Sequence, residues 1–143
     1  MTGGEAAPLV ELRFLAAANR LRRVRRIVHG HLLRCGCADA CARDVVIAVD
    51  EACQNIIRHA YRGESGKIIL QLRRNGDDVV VRLIDFAPPV DPTRIRPRPL
   101  DELRPGGLGT HLIRQLMDRI EFLPPPDGAG NLLQMTKKIG CPP

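Results

Sequence analysis

Aromatic residues make up only 3% of this 143-residue chain, too few to interleave with its basic residues as a stacking platform for single-stranded nucleic acid. No apolar run approaches the roughly 20 residues of a membrane span. The N-terminus shows no basic segment followed by an apolar one, so no secretory signal is read and a soluble, cytoplasmic protein is expected. Cysteine is present in an odd, irregular set (Cys35, Cys37, Cys41, Cys53 and Cys141). That excludes a paired disulfide framework. No Cys or His pair follows Cys35, Cys37 and Cys41 at finger-like spacing, so core and surface thiols are expected rather than a zinc site. Acidic residues are outnumbered, 16 against 22 Lys and Arg, for a formal net charge of +6. Such an excess fits nucleic acid, an acidic partner surface or a phosphate ligand equally.

What the chain does have is enough apolar material, 44% of residues, to bury one core in a single domain spanning 1–143. Leu9 to Phe14 alternates apolar and charged residues, as an edge strand does. A helical period follows from about Ala17 to Arg34, with Leu21, Val24, Ile27, Val28 and Leu32 on its packing side. Arg20, Arg22, Arg23, Arg25 and Arg26 fall along the same helix and read as a solvated basic face, with direct nucleic-acid binding the less favoured reading. Gly36 breaks the helix. Asp39 is positioned to cap a second one, in which Val45, Val49, Ala52, Ile56 and Ala60 mark a buried stripe. Lys67 to Arg74 and Asp78 to Asp85 read as antiparallel strands joined by an Asn75-Gly76-Asp77 turn. Ala87 to Pro105 holds six prolines and little periodicity, the pattern of a functional surface loop. A third helix then starts in the glycine run and continues through Met117, with strands at Arg119 to Leu123 and Asn131 to Ile139 closing the chain. This order predicts an α+β two-layer sandwich, a mostly antiparallel mixed sheet with helices on one face.

Four features carry chemistry. Glu51 and Asn55 are four residues apart on a helix and so share a face. A carboxylate there suits proton acceptance. A neutral carboxamide oxygen suits Mg²⁺, which takes one or two protein ligands and leaves the rest to phosphates and water. Asn in mid-helix is otherwise a poor helix former, although a solvent-facing amide is the plainer explanation. Gly106-Gly107-Leu108-Gly109 opens a helix without the Lys-Ser/Thr of a phosphate loop or a strand leading into it. Its backbone N–H groups and positive helix end suit phosphate oxygens, with Arg104 upstream to reach terminal phosphates. Asp85 ends a strand, where it can accept from an exocyclic amine or simply form a turn. Thr136, within the last strand, can hold a water in the same pocket or serve β propensity alone.

Taken together over residues 9 to 139, these features are similar to the ATP-binding domain shared by DNA gyrase and the sensor histidine kinases. The branch they resemble is the bacterial anti-sigma factor serine kinases. The motif Glu51-x-x-x-Asn55 followed by His59-Ala60-Tyr61 resembles that family's N-box, Asp85-Phe86-Ala87-Pro88-Pro89-Val90-Asp91-Pro92 its adenine-binding strand end, and Gly106-Gly107-Leu108-Gly109 its second glycine box. The resemblance implies Glu51 as general base, Asn55 as Mg²⁺ ligand, Asp85 and Thr136 as adenine-binding residues, and ATP with Mg²⁺ as the ligands. It implies a serine/threonine kinase that phosphorylates an anti-anti-sigma protein and binds a sigma factor, acting as a homodimer; the alternative is a non-catalytic ATP-sensing regulator. His59 is given no catalytic role, since no phosphoacceptor helix pair is present. Ala87 stands where members commonly have Gly, which implies a strained left-handed backbone there and a weaker nucleotide site.

Overall fold

The structure is a computed structural model that describes residues 9–62, 64–89 and 105–139, with the backbone alone at 105–110. Five strands and three helices follow in the order β1 (Val10–Leu15), α1 (Leu21–Arg34), α2 (Asp39–Asn55), β2 (Lys67–Asn75), β3 (Asp78–Asp85), α3 (Pro105–Leu116), β4 (Arg119–Leu123) and β5 (Asn131–Lys138). A short 3₁₀ turn, Ala18–Arg20, leads into α1, and a π-helical turn, Ile56–Ala60, extends α2.

The strands form one sheet in the order β1-β2-β3-β5-β4. All described pairings are antiparallel, which narrows the expected mostly antiparallel mixed sheet to a purely antiparallel one among the described strands. The register stacks Leu12, Leu70, Leu83 and Leu133 across four neighbouring strands on one face. Leu21, Val24, Val28 and Leu32 of α1, Val45, Val49 and Ala52 of α2, and Ile113 of α3 are buried against that face. The helices therefore lie on one side, as their periodicity predicts. The other face carries a small apolar cluster of Ile69, Ile84 and Leu132 and a row of polar contacts such as Gln71 Nε2 to Glu11 Oε1 at 2.8 Å and Arg82 Nε to Gln134 Oε1 at 2.8 Å.

Local chemistry sets the element ends. Gly36 has φ +94°, and beside it the Cys37 N–H bonds Leu32 O and the Gly36 N–H bonds Leu33 O, the paired closure that a glycine at a helix end permits. Gly76, at φ +59°, turns the β2–β3 hairpin. Asp39 is not the cap of α2: Ala38 holds that position with extended backbone. The Asp39 carboxylate bonds His29 at 3.0 Å and Arg43 at 2.9 Å instead. Arg20, Arg22, Arg23 and Arg26 are exposed, while Arg25 crosses from α1 to Asp50 of α2 at 2.7 Å. Among the described residues no helix is long and apolar enough to cross a membrane.

The departure from the expected helix lies after Asn55. Periodicity carried α2 evenly through Ala60, but the Tyr61 N–H bonds the Ile56 carbonyl five residues back at 2.9 Å. Within a π turn, residues five apart share a face, so Tyr61 follows Ile56 into the core. Its hydroxyl donates to Lys67 O at 2.6 Å and accepts from the Phe86 N–H at 2.7 Å. The end of the α2 segment is thereby tied to the start of β2 and to the residue after β3.

Candidate functional site

Asp44, Glu51 and Asn55 are spaced by seven and four residues and line one flank of α2. Lys137 Nζ lies 3.9 Å from Asp44 Oδ2 and donates to Leu116 O at the end of α3 at 2.6 Å. This flank is therefore the one turned toward α3. The opposite flank is internally satisfied: Arg25 bonds Asp50 at 2.7 Å, Gln54 bonds Asp50 at 2.6 Å and Arg58 bonds Gln54 at 2.5 Å. Glu51 and Asn55, both part-buried, make no side-chain hydrogen bond or ion pair among the described residues. A carboxylate and a carboxamide left uncommitted beside two helices are available to a ligand.

Three elements point at the same end of the sheet. The α2 segment runs from Asp44, near Lys137, to Tyr61, whose hydroxyl meets Phe86 beside Asp85. α3 runs the other way: its last residue is at Lys137, so its N-terminal turn, with Gly106, Gly107, Leu108 and Gly109, is directed toward the Asp85 end. The glycine run is thus the first turn of a 12-residue helix rather than a loop before it. Helix starts offer N–H groups and positive potential to anions. Arg104 and residues 90–104 lie outside the described residues, as do the side chains of the glycine turn.

Asp85 is 3% exposed and is the one buried charged residue among those described. Its Oδ1 accepts from the Ala87 N–H at 3.1 Å and from Asn131 Nδ2 at 2.9 Å. Burial pushes its pKa up; the bonds from Asn131 and Ala87 pull it back down. Desolvation disfavours the ionised form most strongly, yet the carboxylate is held in one place by two donors. A buried, oriented acceptor of this kind fits an exocyclic amine.

Two sequence expectations fail here. Thr136 pairs with Val80, whereas Asp85 pairs with Asn131 in the same β3–β5 ladder. Alternate residues of a strand face opposite sides, and the two pairs lie five steps apart. Asp85 is on the helix face and Thr136 is on the opposite face, so Thr136 cannot join Asp85 in one pocket. Asn131 is the β5 residue opposite Asp85. The sequence carried no sign of this, because β3 and β5 are not neighbours in the chain and their register is set only by the assembled sheet.

The second concerns Ala87. Arg62, at φ 52°, is the one non-glycine residue with positive φ among those described, so Ala87 is not in the left-handed region and the expected strain is absent. Ala87 is 3% exposed, packed in the core cluster. The tight constraint lies across from it: a Cβ at Gly130 would come 1.7 Å from Ala87 O. The Gly130 N–H also bonds Asp85 O at 2.9 Å. Gly130 and Tyr61 thus hold the backbone around Asp85 from two sides, and neither was given a role by the sequence alone.

Cys35, Cys37, Cys41 and Cys53 are free thiols. Burial, then a hydrogen bond with Cys41, pushes the Cys37 thiol up to about 12, and complete burial raises Cys53 as well. Both are protonated at neutral pH and are poor nucleophiles.

Residues 14–137 match the family model described as the histidine kinase-like ATPase domain. Over 138 residues the chain is 30% identical to the serine-protein kinase RsbW of Bacillus cereus strain AH187, covering 91% of this chain and 84% of that protein. It is 29% identical, with the same coverage of 91% and 84%, to the protein of that name from Bacillus thuringiensis subsp. konkukian strain 97-27. Among solved structures, that of the RsbU and RsbW domains of Rv1364c from Mycobacterium tuberculosis superposes with a TM-score of 0.63 at 20% identity, covering 93% of this chain and 33% of that one. At that identity the superposition speaks for the fold. An α+β sandwich with an uncommitted Glu-x-x-x-Asn flank, a buried Asp and a glycine-opened helix at one end, matched over most of its length, belongs to the histidine kinase-like ATPase family, in its anti-sigma factor kinase branch.

Proposed function

We propose that the chain is an ATP-dependent serine/threonine protein kinase that phosphorylates an anti-anti-sigma protein and, as an anti-sigma factor, binds a sigma factor in the cytoplasm. The observation that carries this reading is the contrast between the two flanks of α2: among the described residues Asp50 and Gln54 are bonded, while Glu51 and Asn55 are not.

In this reading Asp85 accepts a hydrogen bond from the exocyclic amine of adenine, held in place by Asn131 and the Ala87 N–H. The first turn of α3, with Gly106, Gly107, Leu108 and Gly109, presents backbone N–H groups to the phosphates. Arg104 is proposed to reach the terminal phosphate. Asn55 is the protein ligand proposed for Mg²⁺, and its neutral oxygen adds no negative charge beside the phosphates. When bound, the ion neutralises charge that builds up on the phosphate oxygens. Glu51 takes the proton of the attacking serine or threonine hydroxyl as its oxygen bonds the γ-phosphorus. The bond to the β–γ bridging oxygen breaks, ADP leaves and the proton stays on Glu51. A phosphate of about −2 charge on the antagonist then dismantles or rebuilds its interface through repulsion and desolvation. The alternative of a non-catalytic ATP sensor drew on a strained Ala87, and Ala87 is unstrained.

The test is incubation with Mg²⁺, γ-labelled ATP and the anti-anti-sigma protein encoded nearby. Glu51→Gln should bind ATP as the wild type does while losing roughly 10²–10⁴-fold in transfer rate. Asn55→Ala should lose Mg²⁺-dependent binding. ATP binding without transfer by the wild type would overturn the kinase reading, and normal transfer by Glu51→Gln would overturn the role given to Glu51.

A further inference from the structure

Three of the cysteines meet at the turn between α1 and α2, and hydrogen bonds hold that turn on every side. Cys35 ends α1, with its Sγ turned back to donate to Leu32 O at 3.2 Å. The Cys35 carbonyl accepts from Arg74 of β2, whose Nε also donates to Gly76 O at 2.9 Å. The Cys37 N–H bonds Leu32 O at 3.0 Å, and the Ala42 N–H bonds Ala38 O at 2.8 Å to close the first turn of α2. Those two bonds fix the backbone around the Cys37 and Cys41 side chains, which share a hydrogen bond. Cys37 is 5% exposed, whereas Cys41 is part-buried and reaches solvent. Among the described residues no group of three or more His, Cys, Asp or Glu could hold a metal ion. The cluster is a pair of facing thiols with a third turned away.

We propose that Cys37 and Cys41 form a reversible disulfide when the protein meets a hydroperoxide, so that the α1–α2 turn is a thiol-oxidation site. Disulfide geometry is specific, and side chains that do not already approach each other cannot be bridged without moving the backbone. Two thiols in hydrogen-bond contact on a tied backbone meet that condition. Cys35 does not, because its sulfur is committed to the last turn of α1.

Burial divides the work between the two sulfurs. Cys41, with its access to solvent, is the thiol that a small peroxide reaches first. As its thiolate it attacks one peroxide oxygen, the O–O bond breaks, and the departing hydroxide leaves as water with the proton that Cys41 released. Burial, then the hydrogen bond with Cys41, pushes the Cys37 thiol up to about 12, so Cys37 waits protonated until its partner is oxidised. Cys37 then attacks the Cys41 sulfur, the S–O bond breaks, and the hydroxyl leaves with the Cys37 proton as a second water. The nearby Lys137 ammonium favours the negative charge that develops on the Cys37 sulfur. In sum the thiol pair is oxidised to the disulfide and the peroxide is reduced to water. This chemistry stands independently of the phosphoryl-transfer reading.

Treatment of the folded chain with hydrogen peroxide, followed by alkylation, trypsin digestion and mass spectrometry, tests it. Cleavage after Arg34 and Arg43 yields one peptide that carries Cys35, Cys37 and Cys41. Apart from a single alkyl label on Cys35, that peptide should weigh about 2 Da less than its reduced form and resist fragmentation between Cys37 and Cys41. Dithiothreitol should make all of its cysteines available to the label again, and the fully buried Cys53 should stay reduced throughout. Cys41→Ser should abolish the disulfide. Cys37→Ser should stop at a sulfenic acid on Cys41 that dimedone traps, while Cys35→Ser should form the same disulfide at a rate within about twofold of wild type. The wild-type peptide map decides the matter even where the buried Cys37→Ser variant fails to fold. A disulfide that includes Cys35, or an oxidised Cys41 that never yields a disulfide, would overturn the proposal. So would a bond that forms only after unfolding in urea, or one that links two chains.

Discussion

Tyr61→Phe deletes one oxygen from the joint between the helical layer and the sheet. That hydroxyl donates to Lys67 O at 2.6 Å and accepts from the Phe86 N–H at 2.7 Å, from a side chain in a residue 8% exposed. Two hydrogen bonds at about 1 kcal/mol each set a loss of about 2 kcal/mol. Leaving both backbone groups unsatisfied would raise it toward ~6 kcal/mol at most. Lys67 is exposed and Phe86 is 39% exposed, so water reaches the neighbourhood of both groups and the lower figure applies. With a urea slope of about 2 kcal/mol per molar for a small domain, the midpoint should fall by about 1 M. The melting temperature should fall by roughly 4–8 °C. Because the Phe86 N–H adjoins Asp85, ATP affinity measured by calorimetry should drop in the same variant, below its melting range. A urea midpoint within about 0.2 M of wild type would mean that the hydroxyl bonds carry no net stability and that the joint is held by packing alone.

Gly130→Ala drives a Cβ to 1.7 Å from Ala87 O, so the strand must shift; a loss of about 1–3 kcal/mol is expected in denaturant unfolding, and a neutral substitution would refute the close approach. Asp85→Asn tests stability held back for function. Burial raises the folded pKa of Asp85 above its ordinary value, so its contribution is most favourable below the ordinary carboxylate range and is lost as pH rises through the folded pKa. The variant should therefore be more stable than wild type near neutral pH, with the gap closing as pH falls through the carboxylate range, while ATP binding is lost. Equal urea midpoints at neutral pH would contradict the burial argument. Asn131→Leu should weaken ATP binding, whereas Thr136→Val, on the far face of the sheet, should leave it within about twofold, a difference of about 0.4 kcal/mol. The reverse outcome would restore Thr136 to the site.

Much of the architecture was legible from local chemistry. Gly36 and Gly76 end a helix and turn a hairpin at positions that adopt positive φ, and the apolar periods of α1 and α2 place their buried stripes without reference to any partner. Glu51 and Asn55 share a flank by helical geometry alone. The π turn after Asn55 was not legible: the apolar steps through Ile56 and Ala60 suit an even helix, and the bulge is maintained by Tyr61 reaching Lys67 and Phe86, contacts remote in sequence. Asp39 fell short as a cap because His29 and Arg43 compete for its carboxylate.

The sequence by itself determined the elements, their order and the residue types able to accept a proton, hold a divalent ion or meet an amine, since each depends on neighbours a few residues away. Tertiary structure alone decided which of those residues meet. β5 inserts between β3 and β4, setting Asn131 against Asp85 and turning Thr136 to the other face. α2 packs with its bonded flank toward α1 and its unbonded flank toward α3, so Glu51 and Asn55 stay available while Asp50 and Gln54 do not. Register and packing are properties of strands and helices distant in the chain, and a one-residue step in strand register reverses the face on which a side chain works.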